Sequence, residues 1–390
     1  MKKLSYFFVA AIMLCFAVSS FDFGNAKVFA EESFDVLAFG DSISAGYAPN
    51  VSPYCDTDET TDQTLLSKRQ MLANYVDYYN SEYGTTVSAS TYSYIFGKRL
   101  DASANIKSYA NSGDTSTDLV SILTRDGYEK TLAETNQVVQ ISKADVQADI
   151  RNAKIITLCI GANDVLAPAI DKIMGESVDF TALMNGYEQS ELDEFSQTIA
   201  TNVQTFKSNY TNIILPALKN GAQIYVMTIY NPYQYTNYEF VNTFVGFHQI
   251  LDIAINGLNQ VNQTIKKSAG GKVIVVDVAK EFANIAESDY KNYVNVDLSQ
   301  VSMATIFALM GGEVPYYFDP HLTPLGQRKV GELFEESYVE PSEESYAEPK
   351  QGVPAIAIVA IVAVTIFVGL VVGTTIYLIA EKVKYKAIKF

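Results

Sequence analysis

The segment Leu37-Ala-Phe-Gly-Asp-Ser-Ile-Ser-Ala-Gly-Tyr47 changes from apolar to polar at Gly40. An apolar run from Phe34 to Phe39 leads into it and predicts a buried strand. Ser42 therefore stands where a strand ends and the chain turns. A serine at this place fits a nucleophile, but it also fits the cap of a following helix, because Ser and Asp accept hydrogen bonds from backbone N–H groups at a helix start. Which role it has depends on partners elsewhere in the chain.

Four more apolar runs, rich in β-forming residues, predict further strands of the same sheet. Their ranges are Ile106–Ala110, Ile155–Ile160, Gln223–Ile229 and Lys272–Val278. Because the runs are almost continuously hydrophobic, both faces of the sheet should be covered, as in a parallel sheet. Residues with helical spacing, Phe195–Leu218 and Phe244–Ile265, lie between the later strands. This alternation predicts a doubly wound α/β sandwich with its active site at the carboxyl ends of the strands.

Polar turns follow the first three predicted strands. They are Gly40-Asp-Ser42, Asn111-Ser-Gly-Asp114 and Gly161-Ala-Asn-Asp164. Since the carboxyl ends of parallel strands meet at one edge of a sheet, the three turns should converge. A fourth segment, Asp319-Pro-His-Leu-Thr-Pro-Leu-Gly326, places an imidazole on a predicted loop before a last helix.

These four blocks, in this order, resemble the SGNH/GDSL hydrolase superfamily of esterases and lipases. The matching residues are Gly-Asp-Ser at 40–42, Gly113, Gly-Ala-Asn-Asp at 161–164 and His321. The segment Ile229-Tyr-Asn-Pro-Tyr233 is also similar to lipase-like members. The resemblance implies a three-layer α/β/α sandwich with a five-stranded parallel, flavodoxin-like sheet. It further implies Ser42 as the nucleophile, His321 as the base, and an oxyanion hole formed by the Ser42 N–H, the Gly113 N–H and the Asn163 amide.

Ester cleavage requires these parts on chemical grounds as well. A serine hydroxyl is a weak nucleophile until an imidazole takes its proton, and fixed N–H donors then stabilise the oxyanion. The other common arrangement, Gly-x-Ser-x-Gly, is excluded because Ser44 stands at the second glycine position. Simpler roles are a helix cap for Ser42, a tight turn for Gly113 and a turn or cap for Asn163. Their joint arrangement favours the catalytic interpretation.

Only two histidines occur in the chain, which makes the choice of base simple. His248 lies in the apolar helical run Phe244-Val-Gly-Phe-His-Gln-Ile250 and is predicted to be a packing or surface residue. His321 lies in a proline-flanked segment and is predicted to be the base; a structural histidine is the alternative.

Asp319 is the predicted orienting acid, but its spacing departs from the pattern of the superfamily. Members usually carry Asp-x-x-His, whereas here Phe318 stands three residues before His321 and Asp319 two before. A shorter loop can still bring the carboxylate to Nδ1, and a backbone carbonyl is the alternative partner of the ring. Asp41 and Asp164 are predicted to hold their turns through hydrogen bonds to backbone N–H groups.

Both ends of the chain carry hydrophobic segments. Residues 1–30, with Lys2 and Lys3 before an apolar run, predict a secretory signal peptide. Residues 355–380 contain no charge and predict a single transmembrane helix, followed by a lysine-rich cytoplasmic tail at 381–390. The hydrolase domain, 31–334, is therefore expected outside the cell, and a Glu/Ser/Pro-rich tandem repeat within 335–354 predicts an extended stalk between the domain and the membrane.

The charge balance excludes nucleic acid as a partner. Setting aside the two ends, 1–30 and 381–390, leaves 21 basic and 42 acidic residues, a net charge of −21, whereas phosphate binding requires a basic face. Cys159 lies in a predicted strand and is expected to be a buried free thiol; a disulfide with Cys55 is the alternative. Alternating carboxylates at 56, 58 and 62 lack the glycine and terminal glutamate of a calcium loop, so no metal and no cofactor is expected.

Together the sequence predicts an extracellular, membrane-anchored serine esterase acting on small-molecule, lipid or glycan esters. Membrane tethering and the Tyr-Asn-Pro segment favour a lipase- or lysophospholipase-like acyl ester hydrolase. A carbohydrate O-acetyl esterase remains an alternative, because the shared blocks do not describe the acyl pocket. A surface binding module that retains the fold without turnover is the alternative from another class. The tyrosine-rich insertion 51–90 is either substrate-contacting or ordinary surface.

Overall fold

The computed structural model describes residues 36–46, 91–131, 138–175, 178–219, 222–235, 244–270, 273–297 and 318–340. The chain divides into two units at Tyr338, and every element given below lies in the first of them. Within the described ranges, no helix is long and apolar enough to span a bilayer. Four of the segments discussed above lie outside the described residues. They are the predicted signal peptide 1–30, the insertion 51–90, the predicted transmembrane helix 355–380 and the tail 381–390.

The centre of the described chain is a parallel sheet of five strands. The strands are β1 Val36–Gly40, β2 Ile106–Ser108, β5 Ile155–Cys159, β6 Gln223–Met227 and β7 Val273–Val276. Their spatial order is β2-β1-β5-β6-β7. Counted along the chain, this is 2-1-3-4-5, the flavodoxin-like order, and the order reverses between β1 and β5. The predicted α/β class and the five parallel strands are confirmed.

Register places the ends of the site-bearing strands side by side. Val36 is paired with Ile106 of β2 and with Ile155 of β5, and Gly40 is paired with Cys159. All residues of β1 and β5 are buried, although neighbouring side chains of a strand point to opposite faces. Both faces of the sheet are therefore covered, as the continuous hydrophobic runs predict. Four of the predicted strands run one or two residues past the carboxyl ends of the observed ones, whereas the first was predicted to end one residue before Gly40.

Helices follow the strands of the sheet along the chain. They are α1 Ser42–Ala45, α2 Tyr92–Leu100, α3 Ser116–Thr124, α4 Lys143–Asn152, α5 Ala162–Met174, α6 Phe180–Asn185, α7 Gln189–Asn209, α8 Leu215–Leu218, α9 Val245–Ser268, α10 Val278–Ala283, α11 Glu287–Tyr290 and α12 Pro324–Glu336. Helices α2 and α12 pack together, and α5, α7 and α9 form a second group. The predicted helix Phe195–Leu218 is interrupted by a π-helical turn, Tyr210–Ile214, just before Pro216. Proline lacks the N–H that a regular helix would use, which is a physical reason for the interruption.

Among the described residues, two small antiparallel pairs are separate from the main sheet. Strand β3, Tyr128–Thr131, pairs with β4, Val138–Ile141. Strand β8, Val294–Val296, pairs with β9, Phe318–Leu322, through an irregular register. His321 therefore lies in a short strand, and the prediction of a loop at this place was wrong. The reason is that β8 supplies a pairing partner, while Thr323 caps helix α12, which begins immediately afterwards at Pro324.

Candidate active site

Ser42 is the first residue of helix α1, directly after strand β1. Gly40 has φ +147°, and a Cβ there would lie 2.1 Å from the Cys159 carbonyl oxygen, so only glycine allows the strands to approach this closely. Asp41 is the helix cap: its carboxylate accepts a hydrogen bond from the Ile43 N–H at 3.0 Å. The role of cap is thus taken by Asp41, which leaves the Ser42 hydroxyl available for another partner.

That partner is the imidazole of His321. The Ser42 Oγ lies 2.8 Å from His321 Nε2, although the two residues are 279 positions apart in the chain. On the other side of the ring, Nδ1 forms a hydrogen bond with an oxygen of Asp319. The three side chains therefore lie in the order hydroxyl, imidazole, carboxylate, which is the order in which a serine is activated by a base and the base by an acid.

Asp319 reaches the ring in spite of its short spacing. Its Oδ1 bonds both the Nδ1 of His321 and the backbone N–H of the same residue, the latter at 3.1 Å. Asp319 is only 2% exposed, so water competes little for its carboxylate. A carboxylate, rather than a backbone carbonyl, thus faces Nδ1. A separation of two residues is enough for this contact, because one carboxylate oxygen bonds both the backbone N–H and the ring Nδ1 of His321.

Gly113 lies in a turn and Asn163 at the start of helix α5, and the two segments are bonded to each other. The Asn163 Nδ2 donates to the carbonyl of Asp114 at 2.9 Å, and Gly113, with φ +83°, occupies the preceding position of that turn. The turn is also tied to the nucleophile strand, because the Asn111 N–H donates to the Gly40 carbonyl at 3.1 Å. The three predicted turns therefore converge at one edge of the sheet, as the parallel topology requires.

Asp164 and Asp41 hold these turns, as predicted for both. The Asp164 carboxylate accepts from the Ser116 N–H at 2.9 Å and from the Ser116 hydroxyl at 2.6 Å, which joins helix α5 to the start of α3. Burial raises the pKa of the Asp164 carboxyl, and the two bonds from Ser116 act against that rise. The Asp164 side chain, next to Asn163 in the chain, therefore fixes the start of helix α5 relative to the start of α3.

A buried ion pair stabilises the turn that contains Gly113. Lys130, on β3, contacts the Asp114 carboxylate, and their side chains are only 4% and 7% exposed. Burial raises the pKa of Asp114, while Lys130 beside it lowers it. Lys130 was not singled out from the sequence, because nothing in its local pattern distinguishes it from a solvated lysine of a hairpin.

We expect the substitution Lys130→Met to destabilise the fold by about 3 kcal/mol or more, because it leaves the Asp114 carboxylate buried without its cation. Adding Asp114→Asn should restore much of the loss, since an amide carries no charge to desolvate. Urea unfolding of the wild type and the two variants measures both effects. If Lys130→Met alone is as stable as the wild type, the ion pair contributes nothing to the stability of the fold.

The side chain of Gln327 stabilises helix α1, which carries Ser42. The Gln327 amide, on α12, donates to the Ile43 carbonyl at 2.9 Å, and its oxygen accepts from the Tyr92 N–H at 2.8 Å. The Tyr92 hydroxyl in turn lies 2.9 Å from the Ser44 Oγ. Gln327 is 2% exposed, so it connects α1, α2 and α12 inside the molecule. Helix α12, which follows His321 in the chain, is thereby bonded directly to the helix that carries Ser42.

Asp41 gives the site a pH dependence that can be measured. Burial raises the pKa of its carboxyl from 3.8 to about 7, opposed by the hydrogen bond from Ile43 and by His321. The folded protein therefore keeps a proton that the unfolded chain has already lost. Accordingly, the free energy of unfolding should fall as the pH rises from about 4 to about 7, by roughly 4 kcal/mol for this group alone.

The substitution Asp41→Asn should remove that dependence while retaining a good helix cap. We expect the wild-type Tm to fall between about pH 4 and about pH 7 and the Tm of the variant to fall much less. Scanning calorimetry across the range provides the comparison. Identical slopes in the two proteins would mean that Asp41 titrates normally.

The remaining residues singled out from the sequence take less central places. His248 lies on α9, with Nδ1 3.4 Å from the Asp252 carboxylate, which fits the predicted surface residue. Cys159 is a buried free thiol, and this prediction is confirmed. In the described ranges, no group of three or more His, Cys, Asp or Glu side chains is placed to hold a metal ion. The acidic stretch 56–62 lies outside those ranges, and the absence of a metal stays a prediction.

This chain is similar to one protein family and to several solved structures. The family model described as GDSL-like Lipase/Acylhydrolase matches residues 36–334. An extracellular lipase from Streptomyces rimosus is 14% identical with a TM-score of 0.44, covering 78% of this chain and 100% of that one. A phospholipase A1 from Streptomyces albidoflavus NA297 is 14% identical with a TM-score of 0.43 and the same two coverages. An acetyl xylan esterase from Geobacillus stearothermophilus is 14% identical with a TM-score of 0.32, covering 79% and 96%. No curated protein matches the sequence.

Proposed function

Because this chain belongs to the family of GDSL-like lipases and acylhydrolases and is an ester-hydrolysing serine hydrolase, we propose that Ser42 is its nucleophile and His321 its general base. The observation that carries the proposal is the 2.8 Å distance between Ser42 Oγ and His321 Nε2. Asp319, bonded to Nδ1, is the orienting acid. No cofactor takes part, and all proton transfers pass through His321.

The reaction cleaves two esters in sequence, first the substrate and then the acyl-enzyme formed on Ser42. The Ser42 oxygen attacks the carbonyl carbon while His321 takes the hydroxyl proton, which gives a tetrahedral oxyanion and an imidazolium beside Asp319. The oxyanion collapses, the bond to the alcohol breaks, and His321 returns its proton to the leaving alcohol. Water then repeats the same steps on the acyl-Ser42 ester, which releases the acid and restores the hydroxyl.

The oxyanion is stabilised by the Ser42 N–H, the Gly113 N–H and the Asn163 amide. A side-chain amide carries two N–H groups, and Asn163 uses one of them to bind the Asp114 carbonyl at 2.9 Å. That bond orients the nitrogen, so that the second N–H is a pre-positioned donor. Donors fixed before the reaction stabilise a developing charge without the cost of reorganising solvent.

The substrate is proposed to be a lipid-type or short acyl ester, with lysophospholipid as the example. The basis is the predicted membrane anchor together with the segment Ile229-Tyr-Asn-Pro-Tyr233. The alternative is a carbohydrate O-acetyl ester, because the residues of the reaction centre do not define the acyl pocket. A groove of ≈ 530 Å³ has Ala110, three residues before Gly113, in its lining, and its walls combine apolar side chains with polar ones such as Lys107 and Gln140. The polar groups are partners for sugar hydroxyls, whereas an acyl chain would use the apolar part.

Two assays on the full-length protein separate these substrates. Fatty acid released from a lysophospholipid supports the lipid ester, and acetate released from an acetylated xylan supports the glycan ester. Ser42→Ala is the control in both, because it removes only the attacking oxygen. If neither product appears and the serine is inert, the binding-module alternative is correct.

The location outside the cell is part of the proposal. It rests on the predicted signal peptide 1–30 and the predicted helix 355–380. A chain that stops after residue 340 should move the esterase activity from the membrane fraction to the medium. Activity that stays with the cytosol in both forms would contradict an extracellular enzyme.

A further inference from the structure

Tyr230 contacts the segment that holds the predicted acid and base. Its hydroxyl donates to the Pro320 carbonyl at 2.7 Å, and Pro320 stands between Asp319 and His321. Tyr230 lies just beyond the carboxyl end of strand β6, and it is only 3% exposed. The bond therefore connects the main sheet to strand β9 in a place that water hardly reaches.

The peptide unit joining Pro320 to His321 is held at both of its polar ends. Its N–H donates to the Asp319 carboxylate at 3.1 Å, and its carbonyl accepts from Tyr230. A peptide unit is planar, so fixing both ends fixes the plane from which the His321 side chain starts. The same Asp319 oxygen also bonds the ring at Nδ1. A tilt of this unit would move the backbone donor and the ring together.

Tyr230 is itself rigidly placed. Its ring stacks on Phe282 with the centroids 5.1 Å apart. The Asn231 carbonyl accepts from the Tyr290 hydroxyl at 2.5 Å, and the Tyr233 N–H donates to the Asn231 side chain at 2.9 Å. Burial raises the pKa of Tyr230 well above its ordinary range, so the hydroxyl stays protonated and remains a donor.

We infer that Tyr230 is a positioning residue for the reaction, which through the Pro320 carbonyl keeps His321 and Asp319 aligned with Ser42. The inference rests on the proposed function of these three residues. It also accounts for the short Asp-Pro-His spacing. With one residue fewer between acid and base, the local chain has less freedom to adjust, and a hydrogen bond from the distant β6 segment holds the required peptide plane.

The test compares Tyr230→Phe with Tyr187→Phe, using a chromogenic acetate ester. Tyr187 is also buried and its hydroxyl also donates to a backbone carbonyl, that of Lys172 at 3.3 Å, but only the Tyr230 hydroxyl bonds the segment of His321. For Tyr230→Phe we expect kcat to fall about tenfold with KM nearly unchanged, the size of effect expected when one hydrogen bond that aligns the base is lost. The rate of fluorophosphonate labelling should fall by a similar factor. Tyr187→Phe should lower Tm and keep kcat.

Two results would overturn the inference while leaving the proposed function intact. One is a Tyr230→Phe variant with wild-type kcat and labelling rate. The other is an equal loss of kcat in both variants in parallel with Tm, because the bond would then stabilise the fold without orienting the histidine. A wild-type protein that neither cleaves the ester nor accepts the label would instead refute the proposed function, and the inference with it.

Discussion

Replacing His321 by alanine should lower kcat by about 10⁶, because the serine hydroxyl then has no acceptor for its proton, as found for base removal in other serine hydrolases. Asp319→Ala should cost less, about 10⁴, since the carboxylate orients the ring and stabilises the imidazolium but takes no proton. In that variant the Tyr230 hydroxyl still holds the Pro320 carbonyl. Steady-state kinetics with a chromogenic ester measures both losses.

His248→Ala is the matched control for this pair. It removes the other histidine of the chain, which lies on helix α9 beside Asp252. Its kcat should equal that of the wild type. Equal and complete losses in His321→Ala and Asp319→Ala would contradict the assignment of Asp319 as an orienting residue. A large loss in His248→Ala would place the base elsewhere.

Asn163→Ala should lower kcat by about 10²–10³ with little change in KM, the loss typical of removing one donor from an oxyanion hole. The reason is that the charge on the oxygen exists only in the transition state and the intermediate. A ground-state ester makes a much weaker bond with the same amide. Single-turnover measurement of acyl-enzyme formation isolates this step from product release.

Asn202→Ala separates catalysis from packing in this experiment. Asn202 also donates from its amide to a backbone carbonyl at 2.9 Å, that of Asp164, the residue after Asn163. Both substitutions therefore remove one amide-to-carbonyl bond from the same helix start. We expect Asn202→Ala to retain most of kcat. Similar losses in the two variants would mean that Asn163 acts by holding helix α5 in place.

The strands that carry the site were predictable because burial leaves a direct mark on the sequence. Every residue of β1 and β5 is buried, and each strand reads as an almost unbroken apolar run. The polar turns after them could be placed at one edge because parallel strands share their direction. Ser42, Gly113 and Asn163 were found in this way, from short segments whose meaning is local.

The roles of residues that act through distant partners could not be predicted in this way. Tyr230 is 90 positions from Pro320, and Gln327 is 284 positions from Ile43. Lys130 looks like a solvated charge until the hairpin brings it to Asp114. Strand β9 was missed for the same reason, because its pairing partner β8 is only three residues long and has no recognisable pattern. Such roles follow from the tertiary structure.

The central claim is that folding brings the Ser42 hydroxyl and the His321 imidazole together as a reactive pair. Labelling the intact protein with a fluorophosphonate and locating the mass shift by peptide mass spectrometry tests it most directly. The expected result is a single adduct on Ser42, absent in Ser42→Ala and strongly slowed in His321→Ala. A folded wild-type protein that stays unlabelled, or carries the adduct on a different serine, would contradict the account.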